Sequence, residues 1–180
     1  MILRFLLLLS YFLVGFYGFG QSMNMDWVLH EIDTKVKNID SSKYKDKQRF
    51  KVQNFPMDSV FISVYQKNKK YRKIFFEGYN GGLKTEKSFY SQDDNLFYTK
   101  EKTFIPTGRE SSPVKINHWE ETNKIQSYFQ EQKLVRQLDS EDGGHPFSRE
   151  YLDAEGESLL DDYRTLILLI GSKDSSKGKH

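Results

Sequence analysis

The chain has 180 residues, with 27 lysines and arginines against 25 aspartates and glutamates, a formal net charge of +2. These charges are interleaved along the sequence, which excludes the basic field that draws in nucleic acid. There is no cysteine, so disulfides, thiol nucleophiles, cysteine metal sites and cysteine lipidation are excluded as well. No Asn-x-Ser/Thr glycosylation acceptor occurs either; the two absences together favour a bacterial exported protein over an animal one.

The first twenty residues have the three parts of a secretory signal in order. Arg4 is their one charge, residues 5–16 are apolar except for Ser10, Tyr11 and Gly15, and Gly18 and Gly20 supply the small residues a signal peptidase reads. A membrane-spanning helix needs about 20 apolar residues, and this run is shorter. Residues 1–20 therefore read as a removable signal peptide, residues 21–171 as a single globular domain and residues 172–180 as a disordered Ser/Lys/Gly tail. Localisation is expected to be periplasmic or secreted, with no membrane span after signal removal.

Met25, Val28, Leu29, Ile32, Val36 and Ile39 recur at helical spacing, predicting an amphipathic helix over 25–38 with Asn24 as its cap and Trp27 widening the apolar face. Asp33 falls with the charged residues set mostly on the other side. Residues 40–47 read as a solvated connection and 49–54 as a short strand ended by Pro56. From Val60 the period changes to two. Strands are expected over 60–65, 71–77, 83–90, 96–105, 114–120, 125–131 and 133–138, with turns at 68–70, 78–82 and 91–95. Val60, Ile62 and Val64 alternate with Phe61, Ser63 and Tyr65, which describes a sheet with one packed and one wet face rather than a buried parallel sheet.

After Gly144 the helical period returns. Ser148 is placed to cap a first turn, Gly156 interrupts it, and Leu159, Leu160, Tyr163, Leu166, Ile167 and Ile170 mark a helix stopping at Gly171. Leu168 and Leu169 make that helix apolar nearly all round, so deep packing is expected. The fold class is α+β: an N-terminal helix, an antiparallel β-meander of about six to eight strands forming a curved sheet, and a C-terminal helix packed on it. A closed antiparallel barrel with a terminal helix is the alternative.

Motifs for chemistry are sparse. His118 and Glu120 share a strand face, which suits a proton-transfer pair, but no His-x-His or His-x-x-x-His spacing accompanies them. Asp139-Ser140-Glu141-Asp142-Gly143 has the wrong order for a calcium loop and reads as a turn. Gly78, Gly81 and Gly82 join two strands, so they serve a turn and not a phosphate. No Gly-x-Ser-x-Gly elbow is present. No catalytic residue, metal ligand or cofactor is assigned.

The aromatics carry the one functional signal. Phe75-Phe76, Phe89-Tyr90, Phe97-Tyr98 and Tyr128-Phe129 are adjacent pairs, and alternation puts one member of each on each face. A second aromatic face opposite the core follows, and Tyr79, Tyr90, Tyr98, Trp119 and Tyr128 are its candidate binding residues. The expected function is a non-enzymatic binding module holding a protein or glycan partner. The alternatives are a periplasmic carrier of a small apolar ligand and, behind both, a hydrolase using His118. For the N-terminus the expected outcome is cleavage after Gly20. Intact-mass measurement of the exported protein should give a species beginning at Gln21; a membrane-bound species beginning at Met1 would overturn the reading.

Overall fold

In the computed structural model, residues 25–44, 46–53, 56–107, 118–143 and 146–177 are described. The signal segment, Asn24 and the first part of the strand expected over 114–120 lie outside them. The elements run α1 (Met25–Ser41), β1 (Asp46–Val52), β2 (Ser59–Lys67), β3 (Lys70–Asn80), β4 (Leu83–Gln92), β5 (Asn95–Pro106), β6 (Trp119–Gln130), β7 (Lys133–Asp139) and α2 (Arg149–Lys177). The chain divides into two units, Met1–Glu31 and Ile32–His180. The opening turns of α1 belong to the first, and its remainder with every other element belongs to the second.

All seven strands form one antiparallel sheet in the order β1-β2-β3-β4-β5-β6-β7. Among the described residues β1 does not pair with β7, so the sheet is open and the barrel alternative is set aside. Four connections are two-residue turns in which both residues have positive φ: Asn68-Lys69, Gly81-Gly82, Asp93-Asp94 and Glu131-Gln132. That is the mirror-image turn whose twist matches the strands it joins. The glycine-bearing turn is narrower than the sequence suggests, because Gly78, Tyr79 and Asn80 are still in β3. A Cβ at Gly78 would come within 2.7 Å of the Met57 methyl, so that side chain would have to shift to admit one.

On one face, Val60, Ile62, Val64, Ile74, Phe89, Phe129 and Leu134 pack against Leu152, Leu159, Leu160, Tyr163, Leu166 and Ile170 of α2. Burying such a side chain contributes about 1.5–3 kcal/mol, so this contact is the main source of stability. Ser148 caps α2 as its position suggests, its Oγ accepting from the Tyr151 amide at 3.2 Å. Phe89 and Tyr163 stack with centroids 6.1 Å apart.

Three details of α2 depart from the periodicity reading. The helix is not interrupted at Gly156. That residue faces β7, and an added Cβ would lie 2.9 Å from Leu134 Cβ, so the glycine permits close approach and does not break the helix. The helix also continues past Gly171 to Lys177, where no positive φ marks a cap. Leu168 is 74% exposed, so the end of the helix is packed on one side only. Likewise Trp27 of α1 is 60% exposed and does not widen a buried face.

The two glycines should respond in opposite directions. Gly156→Ala improves helix propensity by about 1 kcal/mol but forces α2 off Leu134, so its melting temperature should fall. Gly171→Ala meets nothing within 4 Å and should raise the melting temperature by a few degrees. A stabilising Gly156→Ala would show that α2 is not seated on β7.

Candidate functional site

The second sheet face is organised by one row of cross-strand partners. Lys47, Tyr65, Lys73, Tyr90, Tyr98, Tyr128 and Arg136 follow one another from β1 to β7. The rings touch edge to face, with centroids 5.4 Å apart for Tyr90–Tyr98 and 5.1 Å for Tyr98–Tyr128. Lys73 Nζ lies 4.9 Å from the Tyr90 centroid and 5.9 Å from that of Tyr65, and Lys47 lies 5.1 Å from Tyr65 on its other side. Cations alternating with ring faces attract each other through the ring quadrupole.

This row is covered. Asp40 accepts from the Tyr90 hydroxyl at 3.1 Å and pairs with Lys73 at 2.7 Å. One helical repeat earlier, Asp33 accepts from the Tyr128 hydroxyl at 3.2 Å. Gln126 donates to the hydroxyls of Tyr98 and Tyr128 at 2.8 and 3.2 Å. Tyr90, Tyr98 and Tyr128 are each 2% exposed. Three of the five candidate binding residues are thus interior in this structure, and the hydroxyls of Tyr90 and Tyr128 hold the 32–41 part of α1 in place. The sequence reading leaves Asp33 on the charged side of the helix and Asp40 in the connection after it, whereas α1 runs on to Ser41 and sets the two at i, i+7. That spacing reaches two tyrosines of one row.

The other two candidates stand at the uncovered end of the same face. Tyr79 is in β3 and Trp119 in β6, with β4 and β5 between them. Strands lie about 4.8 Å apart, so three spacings separate the backbones by about 14 Å. The rings nevertheless meet, with centroids 5.9 Å apart at 62°, so the side chains lean over a sheet that curls at this end. A register shift between Thr103 and Phe104 marks the bend, as bulges do.

Below that bridge a charged and aromatic lattice fills the face. Lys84 Nζ lies 5.0 Å from the Phe104 centroid, 2.5 Å from Glu86 and 4.0 Å from Glu77. Lys102 flanks the same ring at 5.9 Å and pairs with Glu121. Arg49 pairs with Glu77 at 3.1 Å and sits 5.0 Å from the Phe61 centroid. Burial alone would lower the Lys84 pKa, but Glu86, Tyr79 and Glu77 more than reverse this and raise it, so the lysine stays charged. Tyr79 is raised first by loss of water and then by Glu77.

His118 is exposed just ahead of β6, and its carbonyl accepts from the Thr107 amide at 3.0 Å. The Asp139–Gly143 segment is a turn closed by the Asp139 carboxylate, which accepts from the Glu141 amide at 2.9 Å. Among the described residues no group of three His, Asp or Glu side chains comes together to hold a metal. No helix among them is long and apolar enough to cross a membrane. No protein-family model, curated protein or solved structure matches the chain.

The buried tyrosines give the fold a defined alkaline limit. Tyr98 and Tyr128 are held far above the ordinary value of 10.0, chiefly because burial disfavours the phenolate. Burial raises Tyr90 too, against the pull of Lys73. A proton held more tightly when folded stabilises the fold fully below the unfolded pKa, and that stability is lost as pH rises through the folded value. Melting temperature should therefore fall as pH climbs past about 10, less steeply in Tyr98→Phe/Tyr128→Phe. Phenolate absorbance from every tyrosine with circular dichroism unchanged would contradict this burial.

Proposed function

We propose that the chain is an exported, non-enzymatic binding module whose curled sheet end holds a protein partner. The observation that carries this reading is the Tyr79–Trp119 bridge. Two partly exposed aromatic rings meet across two strands and are surrounded by charged side chains that already pair with one another. Aromatic anchors inside a polar, hydrogen-bonding rim are what protein interfaces use for affinity and register. A glycan is the weaker match, because sugars need free ring faces and Arg49, Lys51, Lys84 and Lys102 already lie over Phe61 and Phe104. The export part of the proposal rests on the signal-like first twenty residues. The module reading rests on the absence from the sequence of a nucleophile elbow, a phosphate loop or a zinc spacing.

A photo-crosslinking residue in place of Tyr79, introduced in the cell that makes the protein, should yield a discrete protein adduct. The adduct should disappear when Trp119→Ala is added, and the same crosslinker at the exposed Leu168 should give none. Folding should survive these changes, because Tyr79 and Trp119 lie outside the apolar core. Glycan-array binding that requires Trp119, without a protein adduct, would replace the protein by a sugar. Equal behaviour of parent and Trp119→Ala in both assays would overturn the binding reading.

A further inference from the structure

The face beneath α2 holds a feature unrelated to the Tyr79–Trp119 end. Between the helix and the sheet lies a cleft of about 260 Å³. Met57, Phe76, Phe89, Leu166 and Leu169 make it apolar. One wall is charged: Lys87 Nζ sits 2.9 Å from Asp162 Oδ2 on the helix and 3.3 Å from Glu101 Oε2 on β5. Among the described residues lining the cleft, Lys87 is the one cation against two carboxylates, so the wall carries a net negative charge.

We infer that this cleft binds a small amphipathic amine, its apolar body against the Met57, Phe76 and Leu166 side chains and its ammonium on the Glu101 and Asp162 carboxylates. Charge decides the sign of the ligand. Lys87 already has a carboxylate on each side, so an anionic ligand would have to displace one of them and would then face the other. Each carboxylate has about four acceptor positions, so both have lone pairs to spare for an incoming ammonium after pairing with Lys87. Size decides the rest. Ligand sites commonly enclose about 300–1,000 Å³, so a cleft just below that range takes one ring or a short alkyl chain, and the exposed Asp162 leaves the head group an entry from solvent.

The site lies on the opposite sheet face from Tyr79 and Trp119, so it stands independently of the proposed partner surface. The test is NMR titration of the full protein with three probes of similar size: phenethylamine, 2-phenylethanol and 3-phenylpropionate. Phenethylamine should shift the Met57, Leu166 and Leu169 methyl signals and bind at least tenfold more tightly than the alcohol, with the carboxylate weakest. Asp162→Asn and Glu101→Gln should each reduce the amine preference severalfold while leaving alcohol binding unchanged, which shows that the cleft itself is intact. Equal or tighter binding of the carboxylate would overturn the inference. So would methyl shifts confined to other residues, an amine preference that survives both substitutions, or no binding by any probe.

Discussion

Neighbouring residues in a strand point to opposite faces, and in the middle of this sheet the neighbours are Phe89 and Tyr90. Neither face is left free to be simply wet, since each carries a ring at its centre. Phe89 meets Tyr163 of α2, whereas Tyr90 meets Asp40 of α1. The same alternation at Tyr128 and Phe129 sends one ring to Asp33 and the other into the α2 core. Two helical segments are therefore bound to one sheet from opposite sides, and the position of each follows from which ring of the pair it covers.

The two faces are covered by different physics. Beneath α2 the contact is mostly apolar and depends on area, with a polar margin where Gln137 joins Ser127 to the Tyr151 hydroxyl. Beneath the 32–41 part of α1 the buried groups are phenols, and a phenol removed from water needs a partner for its hydroxyl. Asp33, Asp40 and Gln126 supply those partners. The tyrosine row is consequently specific about register: a shift of α1 by one residue would move both aspartates away from their tyrosines. The α2 face tolerates small shifts better, except at Gly156, where helix and β7 approach too closely for a Cβ.

The α1 contacts just described fall on the central row, so the rest of the second face is left to settle its own charges. It does so with pairs and cation–ring contacts along Arg49, Glu77, Lys84, Glu86 and Lys102. The curl at the Thr103–Phe104 bulge then brings Tyr79 and Trp119 together. Exposed ring surface on this face therefore lies away from the middle of the sheet, where the rings are most numerous, at the end where Tyr79 and Trp119 remain partly exposed.

The sequence alone determined the secondary structure classes, the antiparallel meander and the existence of rings on both faces. Each of these follows from local periodicity and turn chemistry, which act over a few residues. Leu159, Leu160, Tyr163, Leu166 and Ile170 were readable as the inner face of a helix for the same reason. Periodicity put a break at Gly156, where the helix is in fact continuous and fitted to Leu134, because the answer depends on a side chain 22 residues earlier in the sequence. It did not separate Tyr79 from Tyr90. Both are tyrosines on the same sheet face, and only the tertiary structure decided which was covered, since a helix outside the sheet placed the Asp40 carboxylate over Tyr90. Exposure is a property of what packs on a surface, and no spacing within the strand contains that information.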